Sequence, residues 1–299
     1  MNPVHLLRTP SPPHAFAAFL DRLAYGRLSR ARDALLQVAA VPLPVPWYQL
    51  GPVGVLQVER AGLESALRTL LSGLDKVPRS ASLTLPDAWV RALLVDAGPL
   101  PRQREDAEEQ LRWRLKKLLP CRPEDVRLDY LPVGDNGRHL VVLALEKPLA
   151  TVEDVFAGAG VKLGRVEPLV LAVAALAPGH GPGVVVAVDG RSLGIAVISG
   201  GRLLLLREKV LPESEARAQA LLCHELTRSV GYLTAAEGGA VSVWLAAGEE
   251  WAEVVARWGV STSGVSVRLL DPGAGRVPPE GGTRMDHLAL LGGAWEGEG

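Results

Sequence analysis

Residues 183–270 alternate between two hydrophobic periods, and that alternation constrains the fold more than any other stretch. Three consecutive strand-like runs lie at 184–189 (VVVAVD), 194–199 (GIAVIS) and 202–210 (RLLLLREKV), separated by the tight turns GRSL and GG. A long helical stretch follows over 214–234, with Leu222, Leu226, Val230 and Leu233 on one face. A strand at 241–246, a helix at 249–258 and a strand at 265–270 complete the order β-β-β-α-β-α-β. A strand meander feeding crossover helices demands a mixed sheet with helical cover, so the chain is of the α/β class. A Gly- and Pro-rich loop at 271–282 leads to a final helix at 284–295.

The first part of the chain is less regular. Residues 15–40 fit two strands, or a strand and a helix, and periodicity does not separate these. Prolines at alternate positions make 41–52 (VPLPVPWYQLGP) extended and exposed. An amphipathic helix at 62–74 precedes strands at 80–86 and 90–95. The helix at 103–119 is acidic at its start and basic at its end, which complements the helix dipole. Its expected buried stripe is Ala107, Leu111, Leu115 and Leu118, with Trp113 also packed inward and Glu108–Arg112 paired. Strands at 126–133 and 139–145 joined by GDNG, a helix at 151–159, an extended piece at 164–167 and a helix at 168–177 bring the chain to the loop PGHGPG.

Composition excludes several functions. The 299 residues carry 32 Lys and Arg against 33 Asp and Glu, so no basic excess favours nucleic acid. Two cysteines, Cys121 and Cys223, make neither a disulfide framework nor a zinc set, and a reducing compartment fits. The proline-broken N-terminus lacks a signal-peptide pattern. The uncharged stretch at 168–188 is interrupted by prolines and glycines, so it reads as helix, loop and buried strand rather than a membrane span.

Residues 105–133 (EDAEEQLRWRLKKLLPCRPEDVRLDYLPV) sharpen the picture through Trp113, Leu119, Pro120, Glu124, Val126, Asp129 and Tyr130. Together with AGVKLGRVEPLVLAVAAL at 159–176 and LALLGGAWEG at 288–297, they resemble the PilM family of type IV pilus assembly proteins, related to FtsA and GspL. The resemblance departs at Cys121, where the family carries an aromatic. It implies an actin-like ATPase (RNase H-like) fold of two similar domains, 1–182 and 183–299. A small α+β subdomain would be inserted at about 86–162, and the final helix would pack back towards the first domain. It further implies a scaffold at the inner face of the inner membrane, binding the N-terminal tail of a bitopic PilN-like protein in a groove between the first domain and the subdomain. A pilus motor ATPase is a further implied partner. Leu119, Pro120 and the strand carrying Val126, Leu128 and Tyr130 are the groove candidates, with Trp113 and its basic neighbours available to an acidic partner or anionic lipid.

The family's nucleotide site uses two hairpins reading Asp/Glu-x-Gly-x-x-x-Ser/Thr. The first belongs near 15–28, where Asp21 is followed by Arg-Leu and no glycine turns the chain. The second retains Asp189, Gly190 and Ser192 in a shortened turn, with the glycine pair near 247–249 altered. The expectation is a degenerate ATPase without a required cofactor. ATP with magnesium bound through Asp189–Ser192 is the alternative, as is a GspL-like type II secretion domain, a family that continues into a membrane helix not seen after Trp295. G-R-S-L-G at 190–194 is formally a nucleophile-elbow pattern, but the residues after it read as a strand rather than a helix. His224-Glu225 lacks the second histidine of a zinc-protease helix.

Overall fold

The computed structural model describes residues 12–133, 137–179, 181–273, 275–278 and 280–294. Most of the GDNG turn, His180 of the PGHGPG loop, Trp295 and residues 1–11 lie outside the described residues.

The chain opens with an antiparallel meander, β1 (His14–Ala18), β2 (Arg22–Leu28) and β3 (Leu35–Pro42). Thus residues 15–40 are all strand or turn. A small hairpin follows, β4 (Tyr48–Gly51) and β5 (Gly54–Val58), then helix α1 (Arg60–Ser72) and strand β6 (Ser80–Leu85), which lies parallel to β1. The chain next builds a separate three-stranded layer from β7 (Arg91–Asp96), α2 (Arg104–Leu115), β8 (Val126–Pro132) and β9 (Arg138–Leu145), ordered β7-β9-β8. Helix α3 (Glu146–Gly158) returns to the first sheet, β10 (Lys162–Pro168) joins it beside β6, and α4 (Leu169–Ala174) leaves it.

The second half repeats the plan. β11 (Gly183–Asp189), β12 (Ser192–Ser199) and β13 (Arg202–Val210) form the meander. Then α5 (Glu215–Glu237), β14 (Val241–Ala246), α6 (Glu249–Val260), β15 (Val265–Leu269) and α7 (Arg284–Ala294) follow. The two five-stranded sheets, β10-β6-β1-β2-β3 and β13-β12-β11-β14-β15, have one topology: a meander, then two strands added parallel to its first. The chain therefore contains two similar α/β domains.

Both central strands are buried on both faces, which is why they are so apolar. In β1, Ala15 and Ala17 face α4 and α7 while Phe16 and Ala18 face α1 and α3; in β11, Val185 and Ala187 share the α4–α7 core while Val184, Val186 and Val188 face α5 and α6. Helices α4 and α7 thus form a shared layer between the sheets. Their contact depends on Gly292, where an added Cβ would lie 2.0 Å from the Ala172 carbonyl oxygen.

Two sequence expectations need correction. The proline-rich segment is extended, but Leu43, Trp47 and Tyr48 are buried. The Trp47 indole donates to the Phe19 carbonyl at 2.7 Å and its ring meets that of Trp89 at 5.3 Å, so the aromatic pair plugs the base of the first domain. Helix α2 buries Ala107, Leu111 and Leu115 but ends there, leaving Leu118 57% and Trp113 69% exposed. Trp113 stands two residues from Leu111, roughly 200° around a helix of 3.6 residues per turn, and so points away from the stripe. The expected Glu108–Arg112 pair is present at 4.0 Å beside a closer Arg104 at 2.7 Å, and Arg112 also donates to the carbonyls of Pro123 and Val126.

Candidate functional site: an interdomain seam and a groove

Hairpin β1–β2 occupies the span where the first phosphate loop is expected. Its turn is two residues long, closed by the Phe19 N–H donating to the Arg22 carbonyl at 2.8 Å. The β11–β12 turn faces it, and the two meet directly. The Leu20 N–H donates to Asp189 Oδ2 at 2.8 Å. Gly190, at φ +54°, lies so near that an added Cβ would sit 2.5 Å from Leu20 Cδ2. A phosphate between two such hairpins needs free backbone N–H groups and room. Here the Leu20 N–H is held by a carboxylate, and the Leu20 side chain covers the glycine.

Ser192 is buried, and its hydroxyl accepts from the Ala88 N–H at 2.9 Å. It sits in strand β12 rather than at a strand-to-helix elbow, so the G-x-S-x-G pattern is a hairpin. Glu208, on β13, accepts from the Ala92 N–H at 3.0 Å. Asp189, Ser192 and Glu208 of the second domain therefore each cap a backbone donor from the preceding part of the chain. Asp87 answers from the other side: Oδ1 accepts from the Val170 N–H at 2.9 Å, while Oδ2 has no hydrogen-bond partner among the described residues and faces Gly194. Burial pushes the Asp87 carboxyl up to about 8 against the pull of the Val170 N–H, with the Asp189 and Glu208 charges adding to the rise. Burial likewise raises Glu208 to about 7 and Asp189 to about 6. On the α6 side, Arg284 donates to the Ala247 carbonyl at 2.5 Å. Arg22, stacked over Phe19, pairs with buried Asp286 at 2.8 Å and ties the first hairpin to α7. Asp87 and Glu208 carry no sequence signal of their own; each is one acid beside an ordinary strand.

A second feature lies between the three-stranded layer and the first domain. A groove of about 460 Å³ is lined by the apolar side chains of Leu85, Trp89, Val142, Ala144 and Leu149. It runs between β8 and β10, which are both edge strands of their sheets. Its rim is charged. Arg127 bridges Glu146 and Glu153 at 2.6 Å each, which raises its affinity for its proton further. Arg104 approaches Asp129 at 3.3 Å, and burial raises the Asp129 carboxyl. Arg165 pairs with Glu167 at 2.5 Å; burial lifts Glu167 to about 7, with Arg165 opposing.

Of the residues singled out in sequence for a partner, Leu128 touches this groove, but it is 4% exposed and belongs to the core under α2. Val126 and Leu119 lie in the core under α2, Tyr130 packs at its margin with its ring 6.3 Å from that of His139, and Pro120 and Trp113 are exposed. Among the described residues no helix is long and apolar enough to cross a membrane.

No family model matches the sequence, and no curated protein matches it either. Solved structures do. A PilM-PilN type IV pilus biogenesis complex superposes with a TM-score of 0.74 at 17% identity, covering 97% of this chain and 100% of that one. A Bacteroides thetaiotaomicron protein with an actin-like ATPase fold and unknown function aligns at TM-score 0.55 and 11% identity, over 93% of this chain and 94% of that one. This chain has the actin-like ATPase fold. The cytoplasmic domain of EpsL, an inner membrane component of the type II secretion system of Vibrio cholerae, gives a TM-score of 0.53 at 16% identity over 92% of both chains. The two repeated sheets, the inserted layer and the paired hairpins are thus the parts of a known architecture.

Proposed function

We propose that this actin-like chain is a non-hydrolysing adaptor of type IV pilus assembly. Its groove captures the extended N-terminal tail of a PilN-like inner-membrane protein, at the cytoplasmic face of the inner membrane. The observation that carries this reading is the apolar groove flanked by two edge strands. An extended peptide can use edge-strand backbone for affinity and apolar pockets for alternate side chains. The full-length likeness to a PilM-PilN complex supports the choice of partner. The seam supports the loss of hydrolysis: the hairpins that would cradle phosphates hold each other instead.

A titration of the purified chain with a synthetic N-terminal peptide of the PilN-like protein from the same genome tests the groove. Micromolar binding is expected, weakened about tenfold by Leu163→Ala, a half-buried side chain of β10 that lines the groove, as for truncation of an interface anchor. Arg104→Glu, on the exposed rim, is expected to weaken binding without touching the core. Absence of binding, or equal affinity in both variants, refutes the groove. Calorimetry with Mg-ATP tests the seam separately. No binding is expected, and micromolar affinity lost in Asp189→Ala would overturn the degenerate-site reading in favour of an ATP-binding protein.

A further inference from the structure

The C-terminal end of α2 carries a surface that neither the seam nor the groove uses. From Gln110 to Pro123 the sequence has five cations, Arg112, Arg114, Lys116, Lys117 and Arg122, and no carboxylate. Arg112 is engaged with backbone carbonyls and Arg122 with Asp125. Arg114, Lys116 and Lys117 are exposed and form no ion pair with a described carboxylate; Arg114 leans over the Trp113 ring at 5.3 Å. Trp113 and Leu118 protrude between these cations, 69% and 57% exposed. Glu109 lies one turn before Trp113 and Glu124 follows beyond Pro123, so the cationic stretch has acidic borders in the sequence.

Cations at a helix C-terminus are favoured by the dipole alone. The dipole gives no reason for a tryptophan and a leucine to stand in water beside them. A Trp side chain has some 150–250 Å² to bury and usually buries most of it. Both side chains stand proud of the surface rather than lining either cleft described above. Protruding aromatic and aliphatic side chains ringed by Lys and Arg match the chemistry of an anionic bilayer surface, where the rings enter the headgroup layer and the cations meet lipid phosphates.

We propose that the α2 end, through Trp113, Leu118, Arg114, Lys116 and Lys117, docks on the anionic lipid surface of a membrane. This deepens the membrane-facing part of the proposed function but rests on residues outside the peptide groove. Its failure and the groove's are therefore separable: lipid binding is measured without peptide, and peptide binding without lipid.

Co-sedimentation of the full chain with vesicles tests it, comparing phosphatidylcholine alone with phosphatidylcholine containing about one-third phosphatidylglycerol. Binding is expected to the anionic vesicles and to be lost at high salt. Lys116→Gln with Lys117→Gln should weaken it about 25-fold, from about fivefold per cation. Trp113→Ala should weaken it about tenfold, as removal of a buried aromatic anchor does. Brominated lipid should quench tryptophan emission in the parent and lose most of that quenching in Trp113→Phe. All these side chains are exposed, so thermal melts should be unchanged and a loss of binding is not a loss of fold. Failure to bind anionic vesicles overturns the proposal, including the case in which the surface serves an acidic protein instead. Binding that ignores Trp113 also overturns it, because scattered cations would then suffice.

Discussion

Gly194→Ala is the sharpest probe of the seam. An alanine Cβ would lie 2.3 Å from Asp87 Cγ and 2.4 and 2.7 Å from its two oxygens. Asp87 cannot yield easily: it is 1% exposed, its side chain is short, and Oδ1 is held by the Val170 N–H. Overpacking of this kind costs about 1–3 kcal/mol. If Asp87 rotates away, the buried Val170 N–H loses its acceptor, at about 1–3 kcal/mol. Gly194 lies in strand β12, outside the positive-φ positions, so alanine would itself return about 0.5–1 kcal/mol by restricting the unfolded chain. The two costs are alternatives, so after the return the net expectation is a loss of about 1–2 kcal/mol. Urea unfolding followed by circular dichroism measures it. The same substitution in an Asp87→Ala background meets no carboxylate and should be neutral or slightly stabilising, and that change of sign is the decisive readout. Equal destabilisation in both backgrounds would refute the contact as the cause.

Other expectations are simpler. Asp87, Glu208, Glu167 and Asp189 hold their protons more tightly in the folded chain than in the unfolded one, where carboxyls titrate near 4. The folded state therefore binds more protons, and stability should fall as pH rises from about 4 through about 8. Melting temperatures from pH 5 to pH 9 check this, and Asp87→Asn should flatten the alkaline part of the curve; a rise in stability over that range would contradict the burial argument. Gly292→Ala should force α7 off α4, because its Cβ would fall 2.0 Å from the Ala172 carbonyl oxygen. Loss of soluble expression or a melting temperature lower by about 10 °C or more is expected, on the scale of a few degrees per kcal/mol. Trp47→Phe removes the donor to the Phe19 carbonyl and should cost about 1–3 kcal/mol by chemical denaturation.

Much of the fold was legible in the sequence because it rests on local periodicity. The apolar runs of β11, β12 and β13, the Leu222–Leu226–Val230–Leu233 stripe of α5 and the Ala107–Leu111–Leu115 stripe of α2 all appear where spacing puts them. Trp113, expected inward, is exposed, as its offset of two residues from Leu111 requires. The burial of Trp47 was not legible, because prolines report an extended backbone and say nothing of what lies beneath it.

The sequence by itself determined the class, the order of elements over 183–270 and the missing glycine in the first hairpin. Each depends on residues within a few positions of one another, where backbone geometry and side-chain period act. Only the tertiary structure decided the sites. Leu20 meets Asp189, Asp87 meets Gly194 and Arg22 meets Asp286 across separations of more than 100 residues. The groove exists because β8 and β10 become edges of two different sheets. No local pattern encodes which edge is left open or which buried acid finds which N–H. Those outcomes follow from how two sheets and a shared helical layer pack.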